Sequence, residues 1–277
     1  MDSLLFGTAG TPISTKGSGS IAGIKRVQEL GLGCMELEFV RGVKMSEETA
    51  TLVKKAAHED NVVLTAHGPY YINLHSADKK IEAASVQRIL QTARVAHAAG
   101  AYSITFHPAY YLKAPPGDVY DHVKAHMQAI MKTLHDEGVK LWIRPETTGK
   151  KSAFGTLEEI LTLSEEVEGV MPCIDWAHLH ARNDGRLNSY DEFCSMLEKV
   201  EKSLGKDGLK NMHCHCSGIE YTKAGERNHL VLQASDFKYK ELMRAFRDHN
   251  VAGCIICESP NIEGDALLMK EEYSRLS

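Results

Sequence analysis

No apolar run in this 277-residue chain is long enough to cross a membrane, and no secretory leader is read at its start, so no membrane partner is expected. A surplus of positive charge is also missing. The 32 Lys and Arg face 37 Asp and Glu, and a net charge of −5 excludes whole-chain attraction to nucleic acid, leaving only local patches to provide it. The seven cysteines lack the even count and regular spacing of a disulfide framework, which points to a reducing, cytoplasmic setting. Interdomain linkers and low-complexity tails are absent as well. The Gly/Ser stretch from Lys16 to Ser20 lies between a strand-like and a helix-like segment and reads as a loop. One domain over residues 1–277, acting as a monomer, is the expectation.

What is present is a strict alternation. SLLFG, CMELEFV, NVVLTAH, YSITFH, VKLWIRPE, GVMPCID, LKNMHCHC and VAGCIICE read as eight short strands, separated by segments of helical period. In one such segment Val119, Val123, Met127, Ile130, Met131 and Leu134 recur at intervals of three and four before Gly138 stops the helix. Ser46, followed by Glu47 and Glu48, and Thr156, three residues before Glu159, are placed as N-caps. Repeated βα units allow a doubly wound open sheet or a closed (β/α)8 TIM barrel. Eight units, in a chain near the roughly 250 residues such a barrel needs, favour closure.

Six of the eight runs end in His, Asp or Glu: His67, His107, Glu146, Asp175 with His178, His213, and Glu258. A barrel gathers its strand ends at one mouth, where so many ionisable groups must be paired or neutralised. Divalent cations accomplish that, and mixed imidazole and carboxylate donors suit zinc, manganese or iron better than calcium or magnesium. More than four donors exceed one tetrahedral site, so two or three ions are expected, with a carboxylate such as Glu146 bridging a pair. Such a cluster can hold a phosphate, generate hydroxide at neutral pH and stabilise a leaving oxygen. In HCHC, alternation puts His213 and His215 on one face and Cys214 and Cys216 on the other, and the cysteines read as core residues.

The fragments HGPYYINL (67–74), FHP (106–108), PET (145–147), CIDWAH (173–178), MHCHC (212–216) and CESP (257–260) occur in an order and spacing that resembles the endonuclease IV family of apurinic/apyrimidinic endonucleases, in the xylose-isomerase-like TIM-barrel superfamily. The resemblance covers most of the chain. It implies three metals, usually zinc, and incision of DNA on the 5′ side of abasic sites, in base-excision repair. It also implies His67 and His107 as ligands of one metal, and Glu146 as its bridge to a second held by Asp175, His213 and Glu258. His178 and His229 would hold the third. Glu146, Asp175 and Glu258 are the implied catalytic carboxylates. Two departures stand out. An Asp-x-His pair is usual in the seventh loop, but Arg227 stands two residues before His229, with Glu226 the nearest acid and a substitute ligand. An HLND stretch is usual after the seventh strand, where this chain has HCHC.

DNA contact is expected from a rim of Arg41, Lys44, Tyr110, Tyr111, Lys113, Lys150, Lys151, Arg182, Arg186, Lys223 and Arg227, with Tyr70 placed by the resemblance at the damaged nucleotide. Arg227 is read as a phosphate ligand. Glu36 and Glu38 share one face of the second strand, which would set at least one of them near the metals or in a structural pair with a basic residue. His75, His180 and His215 lie close to the motifs but outside the ligand set. Two other functions compete. A one-metal sugar isomerase or epimerase needs only Glu146, Asp175, His213 and Glu258, leaving four histidines idle; a non-catalytic binder of damaged DNA would hold an abasic duplex without cutting it.

Overall fold

The structure is a computed structural model that describes residues 1–276. Eight parallel strands form one sheet: β1 (Leu4–Ala9), β2 (Cys34–Glu38), β3 (Val63–His67), β4 (Ser103–Phe106), β5 (Trp142–Pro145), β6 (Cys173–Asp175), β7 (Met212–Cys216) and β8 (Gly253–Cys257). Their spatial order, β5-β4-β3-β2-β1-β8-β7-β6, curls the sheet so that its two ends meet. Two isolated parallel bridges, Ile143 to Val170 and Glu146 to Cys173, make the closure in place of a continuous ladder. Pro172, which has no N–H to give, precedes the three-residue β6 and shortens the pairing there.

Helices α1 (Gly19–Glu29), α2 (Glu47–Glu59), α3 (Lys79–Ala98), α4 (Pro116–Asp136), α5 (Leu157–Glu166), α6 (Trp176–Arg182), α7 (Tyr190–Lys210), α8 (Tyr239–Asp248) and α9 (Glu263–Arg275) surround the sheet. The architecture is the expected TIM barrel. Val119, Val123, Met127, Ile130 and Leu134 form the buried stripe of α4, and Gly138 follows its C-terminus at φ 71°, a left-handed position that suits glycine. Ser46 caps α2 by accepting from the Thr49 N–H, and Thr156 and Glu159 form a reciprocal capping box on α5. Both caps set the angle at which a loop from the mouth enters a helix. Among the described residues no helix is long and apolar enough to cross a membrane.

Alternation along β7 divides its side chains between two environments. Cys214 and Cys216 lie in the apolar layer between barrel and helices, as expected, and His213 and His215 point the other way, toward Glu36. The barrel interior is polar at depth too. Arg144 is fully buried, held by the carbonyls of Pro172 and Asn211, with its guanidinium over the Tyr102 ring.

Candidate metal centre

The centre is built from the last inward-facing residue of each strand or the first residue of its loop. His67 ends β3, His107 follows β4, Glu146 follows β5, Asp175 ends β6 and Glu258 follows β8. Asp175 also caps α6, accepting from the His178 N–H at 2.7 Å, and so fixes the helical turn that carries His178. The donors at the mouth fall into three overlapping groups, and a fourth, Cys173, His213 and His215, lies deeper in the barrel. His67, His107 and Glu146 form one; Glu146, Asp175, His215 and Glu258 form the second; Asp175, His178 and His229 form the third. Within each group the ligand-type atoms lie within 4.8 Å of one another. Glu146 joins the first group to the second, and Asp175 joins the second to the third.

His213 is not in the central group. Cα pairing sets Asp175 beside His215 and Cys173 beside His213, so His213 lies one inward-facing position deeper. It is fully enclosed, with Nδ1 3.1 Å from Ser103 Oγ and Nε2 2.9 Å from Glu36. Burial, only partly opposed by Glu36, lowers its pKa to about 4, so the ring is neutral. His215 occupies the level assigned to His213 from the sequence. The signal that distinguishes them is the strand end: the outermost inward-facing residue reaches the mouth.

Hydrogen bonds set the tautomers of the central imidazoles. His67 donates from Nδ1 to the Gly68 carbonyl at 2.7 Å, His178 from Nδ1 to Thr147 at 3.0 Å, and His229 from Nδ1 to Glu258 at 3.2 Å. Each Nε2 is left with a lone pair, as in metal-ligating histidines. His215 Nε2 lies 3.0 Å from the Glu36 carboxylate, while Nδ1 lies 3.4 Å from both Glu146 and Glu258. Glu36, anchored by the Thr65 hydroxyl at 2.8 Å, thus orients His215 from behind.

In this tautomer the His67 Nε2 lone pair faces Glu146 Oε2 at 3.3 Å, acceptor against acceptor. A proton or a cation must lie between. Both Glu146 oxygens, Asp175 Oδ2, His178 Nε2 and both ring nitrogens of His215 are buried without a properly aligned hydrogen bond. Without a metal, protons take the role: burial lowers the pKa of His67, but the nearby charge of Glu146 outweighs it and raises it to about 10. Burial works the other way on Asp175 and raises it to about 6. These orphaned, converging donors fit divalent cations.

The third group is completed by a hairpin, Gly218–Thr222 paired with Gly225–Leu230. Glu226 Oε2 lies 3.4 Å from His178 Nε2. Gly149 leaves it room: a Cβ at that position would stand 2.5 Å from the Glu226 Cβ, and the Gly149 carbonyl accepts the Glu226 N–H at 3.0 Å. Arg227 does not reach over the cluster. It is exposed and engaged by Glu220 at 2.9 Å.

The rim divides in the same way. Arg41, Lys44, Lys113, Lys150, Arg186 and Lys223 are exposed, as are Tyr70 and Tyr71. Tyr70 donates its N–H to the Val40 carbonyl, which sets Arg41 beside it. Its ring lies 5.7 Å from that of His67. Tyr110 is exposed as well. Arg182 is a backbone clamp, donating to the carbonyls of Thr148 and Ala153; Tyr111 is tied to Glu159 and Lys151 to Asp184. His180 is buried and joined to Asp236, away from the cluster.

Residues 24–276 match the family described as Xylose isomerase-like TIM barrel. The chain belongs to that family. It is 42% identical over 273 residues to an uncharacterized protein of Methanocaldococcus jannaschii, a match covering 99% of this chain and 98% of the relative. A probable endonuclease 4 of Mycoplasma pneumoniae is 23% identical across 72% of this chain and 68% of its own length. One from Enterococcus faecalis is 29% identical across 63% and 58%. Among solved structures of the same fold, a D-tagatose 3-epimerase-like protein superposes with a TM-score of 0.73 at 17% identity, covering 98% of this chain and 96% of its own. Endonuclease IV from Thermus thermophilus gives 0.71 at 17% identity, covering 97% and 98%.

Proposed function

We propose that this protein is a metal-dependent phosphodiester hydrolase that incises DNA on the 5′ side of abasic sites, a base-excision repair activity. One observation carries the reading: three donor groups are linked in series through Glu146 and Asp175. Two shared carboxylates would let neighbouring cations act together on one phosphate, whereas a one-metal reaction has no need of the outer groups. His67, His107 and Glu146 would hold one ion; Glu146, Asp175, His215 and Glu258 a second; Asp175, His178, His229 and Glu226 a third. Divalent ions held there would supply Lewis-acid stabilisation of the phosphate and acidify the attacking water. Zinc suits the donors, with manganese or iron as alternatives. The probable endonuclease 4 relatives support the same reading.

The chain's own contribution is placement. Glu36 keeps one nitrogen of His215 turned toward Glu146 and Glu258, and backbone carbonyls do the same for His67, His178 and His229. Exposed Tyr70 and Tyr71 offer flat faces to an unstacked nucleotide, and Arg41 and Lys150 offer charge to backbone phosphates.

A second reading has its own support, because the central group of Glu146, Asp175, His215 and Glu258 is a complete one-metal set of the kind an epimerase uses. The deciding experiment adds Zn, Mn, Fe or Co to metal-stripped protein and follows both a duplex with a single abasic site and a ketohexose. Incision with at least one metal is the expected result. Sugar interconversion without incision would establish the epimerase, and tight binding of the duplex without cleavage would establish a binder.

A further inference from the structure

A second set of donors lies outside the mouth and takes no part in the chemistry above. Glu82, in the first turn of α3, has a side chain only 5% exposed although it is charged. His122 and His126, one turn apart on α4, reach it across the contact between the two helices. His122 Nε2 lies 3.1 Å from Glu82 Oε1 and 3.2 Å from His126 Nε2, which is 3.8 Å from Glu82 Oε2. A tetrahedral ion with bonds of about 2.0–2.1 Å sets its ligand atoms about 3.3 Å apart. The two Nε2 atoms already stand at about that spacing, and each faces a different oxygen of the Glu82 carboxylate, at 3.1 and 3.8 Å.

We propose that Glu82, His122 and His126 form a separate site for a borderline divalent cation such as zinc, cobalt, nickel or copper. Two imidazoles beside one carboxylate argue against calcium and magnesium, which take oxygen donors. Both Nε2 atoms converge on the same carboxylate and on each other, so without a cation only one proton can be shared across the short His122–His126 contact. Lys79 competes for the carboxylate, with Nζ 2.8 Å from Glu82 Oε2, but its side chain is 74% exposed and can return to water. An exposed lysine of this kind contributes little to holding a pair together. The open coordination position faces solvent, since the side chains of His122 and His126 are 33% and 26% exposed.

The site has a structural consequence for the mouth. Glu82 Oε1 also accepts the Ser76 N–H at 3.1 Å, and the His75 ring packs edge-on against His122 with its Nδ1 buried and unpartnered. Both residues belong to the loop after β3 that carries Tyr70 and Tyr71. An ion here fastens that loop to α3 and α4.

Zinc content of the full chain, equilibrated with excess zinc and desalted, is expected to fall by one equivalent in His122→Ala/His126→Ala, with the mouth ligands untouched. Equal zinc in a variant with unchanged circular dichroism overturns the proposal. On the unsubstituted protein, saturating zinc is expected to slow diethylpyrocarbonate modification of His122 and His126 about tenfold, as occupancy near nine-tenths implies. His135, 89% exposed, is the internal reference in the peptide mass spectra. Unslowed modification of both histidines overturns the proposal even where the double variant does not fold.

Discussion

Glu226 and His229 stand three residues apart on one strand yet both approach His178, because the chain bulges at Arg227 between them. Tyr221 pairs with Glu226 and Glu220 with Asn228, so Arg227 has no partner of its own. Plain alternation would have put Arg227 on the side of His229 and turned Glu226 away. The bulge reverses this: a cation pairs with Glu220 in solvent and an acid turns inward.

On the proposed reading the outermost metal would depend on Glu226, whose N–H is held by the Gly149 carbonyl. Titration with a chelator is expected to release one equivalent early from the native protein. Glu226→Ala should make that release easier, and Gly149→Ala should do the same by pushing the Glu226 side chain aside. Arg227→Ala should leave the metal content unchanged. Loss of all metals together, insensitive to Glu226, would show that the third group does not hold an ion.

On β7 the two histidines are expected to behave differently. His215→Ala should remove the central ion, read as metal per chain, whereas His213→Gln should keep it and instead lower the melting temperature, because His213 fills a buried polar position between Ser103 and Glu36. Glu36→Gln tests the support from behind. Loss of such an outer partner costs about 10- to 100-fold in metal affinity, and a shift of that size is expected here. If His213→Gln strips the ion and His215→Ala does not, the depth assignment is reversed.

The barrel was legible because each strand is bounded by a helical period and because ionisable residues recur at strand ends. Depth was not. HCHC puts two imidazoles on one face, and only the register of β7 against Asp175 says which of them reaches the mouth. The replacement of the seventh-loop acid was half legible: Glu-Arg-Asn-His is one residue longer than acid-x-His, and an extra residue in a strand is the mark of a bulge, but its pairing needs the hairpin. Arg182 and Tyr111, read as rim groups, are internal ties, since their basic or aromatic character says nothing of the carbonyls and carboxylate that they meet. The cluster of Glu82, His122 and His126 joins two consecutive helices: the histidines share a face at i and i+4, but nothing in the sequence sets Glu82 against them.

Metal uptake should be linked to protons. In the metal-free protein the pKa of His67, raised to about 10, gives stability that is full below its ordinary value near 6.5 and lost as the pH climbs through 10. Metal-free protein is thus expected to lose thermal stability between neutrality and pH 10, and bound zinc to abolish the loss. At neutral pH, metal binding must expel the His67 proton, so calorimetry in buffers of different ionisation enthalpy should reveal proton release. On the acid side the sign reverses. Glu258 is partly buried, yet the charge of His215, 3.4 Å away, lowers its pKa to about 2, so its contribution is full above the ordinary carboxylate range and lost as the pH falls toward 2. No proton release at neutral pH would mean that His67 is already neutral without metal.

The severity of substitutions should follow position in the linked groups. Glu146 belongs to two of them and has three imidazoles within 3.3 Å of its oxygens, those of His67, His107 and His178. Glu146→Gln removes the charge that joins two cations while keeping the shape, and incision is expected to fall by more than the roughly 100-fold upper range for losing an outer-shell partner. Tyr70→Phe keeps the exposed ring that would stack on a nucleotide and removes only its hydroxyl, so a change within about threefold is expected, well inside the roughly 1–3 kcal/mol attributed to a base-stacking aromatic. Tyr70→Ala, which removes the ring, should weaken binding of the abasic duplex. Arg41→Ala should raise the Michaelis constant more than it lowers turnover and reduce the slope of log affinity against log salt by about 0.9, the contribution of one phosphate contact. The ordering Glu146→Gln, then Tyr70→Ala, then Tyr70→Phe is the test. Comparable, mild losses in all three would place the chemistry away from Glu146 and, with it, away from the linked groups on which the hydrolase reading rests.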